Sequence, residues 1–238
     1  MSGLKAKRFW KEASVVSDGT GYTVELDGRP VRTPAKAALS MPTRALADAV
    51  AAEWDAQEDE VRPASMPVTR AANAAIDKVR VQFDEVAAMI ADYGDSDLLC
   101  YRAEAPQELV RRQAEAWDPL LEWAERRHGA RLVPVTGVMH VPQDAQALRA
   151  LARQVEAMDP FRLTALHDLV ALSGSLVIGL AAVEDFADME TLWRLSRIDE
   201  TWQEEQWGID EEASARAATK EKEFRNAKRF HDLARPIN

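Results

Sequence analysis

The sequence predicts an α+β protein, with a small N-terminal antiparallel β-domain followed by a larger, mainly helical domain. Three observations carry this. Two Asp-Gly pairs, Asp18-Gly19 and Asp27-Gly28, lie between short β-prone runs, and that dipeptide supplies the left-handed backbone a two-residue hairpin turn requires. Beyond residue 44 the apolar residues recur every three or four positions, the spacing of a helix with one buried face. The β-signals come first and the helical signals later, an order that argues for segregated layers over an alternating parallel sheet. The expected division is a β-rich domain with its trailing helix over 1–60 and a helical domain over 61–238.

Taken in order, Tyr22, Val24 and Leu26 alternate with Thr23, Glu25 and Asp27, as in a strand with one wet face. Pro42 is placed to open a helix at its first position, and Leu46, Val50, Trp54 and Gln57 follow at helical spacing. Arg62-Pro63 and Met66-Pro67 interrupt the chain before a helical stretch running through Ile76, Val79, Phe83 and Val86 towards Ile90. Asp92, Asp95 and Asp97 surround a glycine and read as capping residues of a solvated turn. Helices are expected over 107–128, 143–157, 161–183, 188–207 and 211–231, with RLVPVTGVMHVP between the first two as a short extended segment or small hairpin.

Composition narrows the function classes. The 238 residues carry a formal charge of -10, which repels phosphate backbones and anionic lipid alike, so neither nucleic acid nor stable membrane insertion is expected. Cys100 is the only cysteine and reads as a small packed hydrophobe. The longest uncharged run, Leu169–Val183, falls short of the ~20 residues of a membrane span and predicts a buried helix. With no secretory or transit pattern at the N-terminus, the expected location is the bacterial cytoplasm.

The familiar catalytic signatures are missing. There is no phosphate-binding loop, no H-E-x-x-H and no G-x-S-x-G. One E-x-x-H occurs, Glu125 to His128, where a di-iron site needs two. His128, followed by Gly129, reads as the last residue of a helix, its positive charge facing the dipole. No metal, cofactor or small-molecule substrate is therefore expected. The rival reading is a small-molecule enzyme using carboxylates in a helical cleft, Asp95 or Asp97 with His167.

What remains is an unusual pairing of acids with tryptophan. Residues 197–212, RIDETWQEEQWGIDEE, hold seven carboxylates and two tryptophans. On one continuous helix Leu192, Leu195, Ile198 and Trp202 form a core stripe, while Trp193, Glu200 and Trp207 fall on a second face, seven residues apart. Gln203 and Glu204 lie near that face and Arg197 flanks it. Tryptophan is over-represented among binding hot spots, and a carboxylate between two of them can select a basic partner. Trp193, Arg197, Glu200, Gln203, Glu204 and Trp207 are accordingly the candidate partner-binding residues.

Four blocks resemble the ATP-synthase assembly chaperone family, whose members hold the free alpha subunit of the catalytic head: RFW…GYTVELDGRPVRTPAK; LADAVAAEWDAQ with MPVTRAANAAID; DLLCYRAEAPQELVRRQAEAWDPLLEW; and SGSLVIGLA with RIDETWQEEQWG. They run in family order over most of residues 8–208. The resemblance implies a small β-domain before a helical one, no cofactor, no turnover, and the alpha subunit as partner. The family pattern falls on Glu53, Trp54, Asp55 and Gln57; on Asp97, Tyr101 and Arg102; on Gln113, Trp117 and Pro119; on Gly174 and Ser175; and on Glu200, Gln203, Trp207 and Gly208. Beyond Gly208 the match weakens.

Overall fold

The computed structural model describes residues 7–236, which divide into two compact units. One lies within Met1–Phe83, Asp159–Ala165 and Arg229–Asn238, the other within Asp84–Met158 and Leu166–Lys228.

The first unit is built on an antiparallel sheet of β1 (Ala13–Ser17), β2 (Tyr22–Leu26) and β3 (Arg29–Pro30), paired from Ala13↔Leu26 to Ser17↔Tyr22. Both Asp-Gly pairs lie at hairpin turns, but only the second makes the two-residue turn expected; the first sits in a four-residue loop, Asp18–Gly21, where Gly19 alone of the pair has a positive φ, 90°. Asp27 and Gly28 adopt φ of 48° and 78°, the left-handed pair of a tight hairpin. At the other turn the Asp18 carboxylate accepts the N–H groups of Thr20 and Gly21. The Ser40 hydroxyl and these donors hold its pKa down at about 2. Val24 and Leu26 are buried, and Thr23 on the opposite face is buried too, so that face is only partly wet.

Helix α1 (Arg44–Asp55) covers the sheet. Thr43 caps it by accepting the Leu46 N–H, which places Pro42 outside the helix and not at its first position. Leu46 and Val50 are fully buried with Trp10, Leu39 and Met41, each worth roughly 1.5–3 kcal/mol before the entropy of ordering. Helix α2 (Pro67–Ala74) opens with Pro67 and continues into a π-helical turn, Ala75–Val79.

The second unit is helical: α3 (Phe83–Asp92), α4 (Gln107–His128), α5 (Ala145–Glu156), α6 (Pro160–Ser173), α7 (Leu176–Val183), α8 (Met189–Leu195), α9 (Ile198–Trp207) and α10 (Glu211–Ala234), several shared at their ends with the first unit. Two stretches expected as single helices are each broken. The first stops at Gly174, φ 73°, and restarts at Ser175, which caps α7 through the Ile178 N–H. The second breaks at Ser196 and Arg197. There the Ser196 hydroxyl donates to the Trp193 carbonyl, a local bond that competes with the helical ladder.

Every residue of α7 is buried. Gly179 permits its close approach to α6, since a Cβ there would stand 2.6 Å from Val170 Cγ2. Pro119 lies inside the 22-residue α4 and neither opens nor ends it. The segment expected as a strand or hairpin supplies β5 (Val135–Thr136), which pairs in parallel with β4 (Tyr101–Arg102) and not with its own neighbour. Among the described residues no helix is long and apolar enough to cross a membrane.

Candidate partner-binding site

Much of the motif chemistry is already engaged within the fold. Glu53 stands on the last turn of α1, and its carboxylate accepts the Val68 N–H at 2.8 Å, the Thr69 N–H at 2.7 Å and the Thr69 hydroxyl at 2.7 Å. Helix α2 has no capping side chain of its own at Met66, so Glu53 caps it through space and meets the positive end of its dipole. Gln57 is buried, donates to the Glu53 carbonyl and Ser65 hydroxyl, and accepts the Arg62 N–H at 2.7 Å. Asp55 accepts the Ala13 N–H and pairs with Arg8. Trp54 packs edge-on to Trp10, ring centres 5.3 Å apart.

Asp97, expected in a solvated turn, is completely buried. One oxygen accepts the Leu99 N–H and the other the Val177 N–H, each at 3.0 Å. Gly174 adds its carbonyl to the Leu98 N–H at 3.1 Å, so Asp97, Gly174 and Ser175 form one node joining the 97–100 turn to the start of α7. Burial outweighs these donors and raises the Asp97 pKa to about 6. Burial likewise pushes the Cys100 thiol up to about 12, the behaviour of a packed, inert cysteine.

The carboxylate–histidine pairs of the rival reading do not meet. His167 bonds its neighbour Asp168 at 2.9 Å, which holds its pKa up. Asp95 instead accepts the Gln143 N–H and lies 3.3 Å from His140. At the end of α4, Gly129 takes φ 70° as the stop residue, while burial lowers the His128 pKa and so opposes the positive charge expected there.

In the third block, Arg102 donates to the Leu99 carbonyl, pairs with Asp118 at 2.7 Å, and lies 5.3 Å over the Trp117 ring. Gln113 is buried, accepting the Ala103 N–H and donating to Asp199 at 2.6 Å. Trp117, fully buried, donates its indole N–H to the Leu195 carbonyl at 2.8 Å. These two residues fasten α4 to the α8–α9 junction. Tyr101 places its hydroxyl 3.2 Å from the His140 ring, and Pro119 is exposed.

The break at Ser196 separates the two tryptophans drawn onto one face. Trp193 is buried against Phe224, with Arg197 5.9 Å over its ring. Glu200 pairs with Arg197 at 2.7 Å. Trp207, at the end of α9, is 79% exposed. Gly208 ends the helix at φ 92°, ψ 164°, a backbone region essentially confined to glycine. Gln203 and Glu204 make no side-chain hydrogen bond or ion pair among the described residues.

Trp207 and Gln203 line a groove of about 920 Å³ between α9, the 101–106 segment and residues 136–139, with Leu109 and Trp202 among its apolar lining. Val138 and Met139, on the far segment, are 91% and 78% exposed. Neither was singled out from the sequence; the only sign was a run of apolar residues about Gly137 with no helical period. Asp97, Cys100, His128 and His167, whose protonation the fold shifts, are not among the groove-lining residues. No cluster of His, Cys, Asp or Glu among the described residues is arranged to hold a metal ion.

The model of the ATP12 chaperone protein family matches residues 7–125. Among solved structures, the crystal structure of Atp12 from Paracoccus denitrificans is similar, with 52% identity and a TM-score of 0.94, over 97% of this chain and 99% of that one. The crystal structure of the Atu1473 protein from Agrobacterium tumefaciens shares 44% identity and a TM-score of 0.92, over 96% and 86%. The mitochondrial protein atp12 of Schizosaccharomyces pombe is 24% identical over 219 residues, 87% of this chain and 75% of that protein. The chain therefore belongs to the ATP12 chaperone family.

Proposed function

We propose that this protein is a non-catalytic, ATP-independent assembly chaperone that holds the free alpha subunit of ATP synthase in the bacterial cytoplasm until the subunit pairs with beta. Family membership supports the chaperone class. The observation that carries the client-binding reading is the exposed Trp207 at the end of an acidic helix, beside a groove with further exposed apolar residues. Apolar surface left in water marks an association site, and an exposed indole can contribute ~2 kcal/mol or more when a partner covers it. The carboxylates of α9 then select a basic client surface and reject an acidic one.

The test is Glu200→Lys. The side chain is half exposed and paired only with Arg197, so the change is expected to alter stability by no more than about 0.5 kcal/mol. Retention of the isolated alpha subunit should fall about tenfold or more, with Glu200→Gln intermediate. Undiminished capture by the lysine variant would remove Glu200 from the client surface.

A further inference from the structure

We propose that the groove beside α9 clamps one segment of the client, an amphipathic stretch with an apolar ridge and at least one lysine or arginine, and that Val138 and Met139 form the second jaw. This rests on the client-binding reading above and adds to it a contact surface outside α9 and the chemistry of what fills the groove.

The jaw is a held structure. Val138 is the most exposed of the large apolar side chains among the described residues, yet the chain on both sides of it is bonded in place. Before it, Thr136 pairs with Arg102 in the β4–β5 ladder and the Gly137 N–H donates to the Arg102 carbonyl at 2.9 Å. After it, the His140 ring reaches Tyr101 and Asp95, and Asp95 also accepts the Gln143 N–H. The Gln143 side chain returns to both the N–H and carbonyl of Val133. Two adjacent apolar side chains are thus held out in water on an ordered support, the arrangement that lowers the entropic cost of binding.

Charge selects the occupant. Of the charged residues lining the groove, Arg102 is paired with Asp118 and Asp199 accepts from Gln113. Glu104 has no partner among the described residues, and its carboxylate lies beside Gly137, 3.1 Å from where a Cβ would stand. An unpaired carboxylate at the base of the apolar jaw favours a cation set beside an apolar ridge. Gln203 and Gln206, both lining the groove, offer donors and acceptors suited to a polypeptide backbone.

The experiment uses the full chain and a two-heptad peptide with leucine at the core positions and lysine on the flanks. Its controls are the same leucine pattern with glutamate for lysine, and the lysine peptide scrambled. The lysine peptide should bind and perturb the Val138, Met139 and Trp207 resonances, while both controls fail to bind. Val138→Ser with Met139→Ser should weaken binding about tenfold or more, and Glu104→Gln several-fold. Val81→Ser, an exposed apolar residue that does not line the groove, should change nothing. Equal binding of the lysine and glutamate peptides, or binding that ignores the double serine variant, overturns the clamp. The isolated alpha subunit separates the two ideas. If wild type and the double variant retain it equally, the clamp fails and the client reading stands. If wild type does not retain it while the peptide results hold, the client reading fails and the clamp stands.

Discussion

Two segments of nearly the same composition, EWDAQ at 53–57 and EEQWG at 204–208, are put to opposite use. In the first, Glu53 and Gln57 take up backbone donors at 2.7–2.8 Å and Trp54 packs on Trp10. In the second, Glu204 bonds no side chain or backbone donor, and Trp207 stands 79% in water. The difference is what lies within reach. The first closes α1 where the uncapped start of α2 presents its N–H groups, and orphan donors of that kind draw in an acceptor. The second ends a helix at a glycine turn, where its side chains meet solvent. Acid and indole together therefore do not identify a binding face; the neighbouring backbone decides whether they are consumed by the fold or left for a partner.

The comparison is broken most directly at Glu53. Glu53→Ala leaves the Val68 and Thr69 N–H groups without their acceptor at the start of α2, a loss of ~2–4 kcal/mol. In a protein of this size that corresponds to a fall in Tm of about 5–15 °C. Urea unfolding measures it, and Glu53→Gln should recover part of the loss by keeping one acceptor. A variant that stays as stable as wild type while losing alpha-subunit capture would move Glu53 from the fold to the client surface.

Asp97 sharpens the same contrast through pH. Its folded pKa, raised by burial to about 6 from the ordinary 3.8, means that the folded protein binds this proton more tightly than the unfolded chain. Its contribution is fully present below pH 4 and is lost as pH rises through 6, by about 3 kcal/mol in all. Asp97→Asn has no proton to lose. The stability of wild type relative to this variant should accordingly be greater at pH 5 than at pH 7.5, as read from paired urea curves. Asp18, whose pKa is lowered to about 2, acts with the opposite sign and only as pH falls from 4 towards 2, so the two windows do not overlap. A difference between wild type and Asp97→Asn that is flat from pH 5 to 7.5 would show that the node is better solvated than its geometry implies.

What the sequence made legible was local. The Asp-Gly hairpins close within four and six residues, Leu26–Arg29 and Ser17–Tyr22, and the apolar run 169–183 could only be satisfied by burial. The missed features are non-local. Asp97 reads as a turn residue because its second donor, Val177, is 80 residues away, and β5 looks like half of a hairpin because its parallel partner is at Tyr101. The face joining Trp193 to Trp207 presupposes an unbroken helix. Ser196 interrupts it, and one indole turns inward while the other stays in water. Sequence carries weak warning of such a break, since serine inside a helix is common; at this break its hydroxyl bonds the Trp193 carbonyl.

The smallest expected effect on stability comes at Trp207, and it is the most informative because the effect on binding should be the largest. Trp207→Ala removes a side chain that is 79% exposed, so unfolding free energy should stay within about 0.5 kcal/mol of wild type. A hot-spot indole costs ~2 kcal/mol or more on truncation, which is about thirtyfold in retention of the alpha subunit. Trp193→Ala provides the opposite case. That indole is buried against Phe224, and its removal should cost ~3–5 kcal/mol of stability, with binding lost only as far as folding is lost. Measured together by urea unfolding and subunit retention, the pair separates a gripping residue from a packing one. If both variants lose stability in parallel with binding, Trp207 is a packing residue as well, and the exposed end of α9 carries no grip of its own.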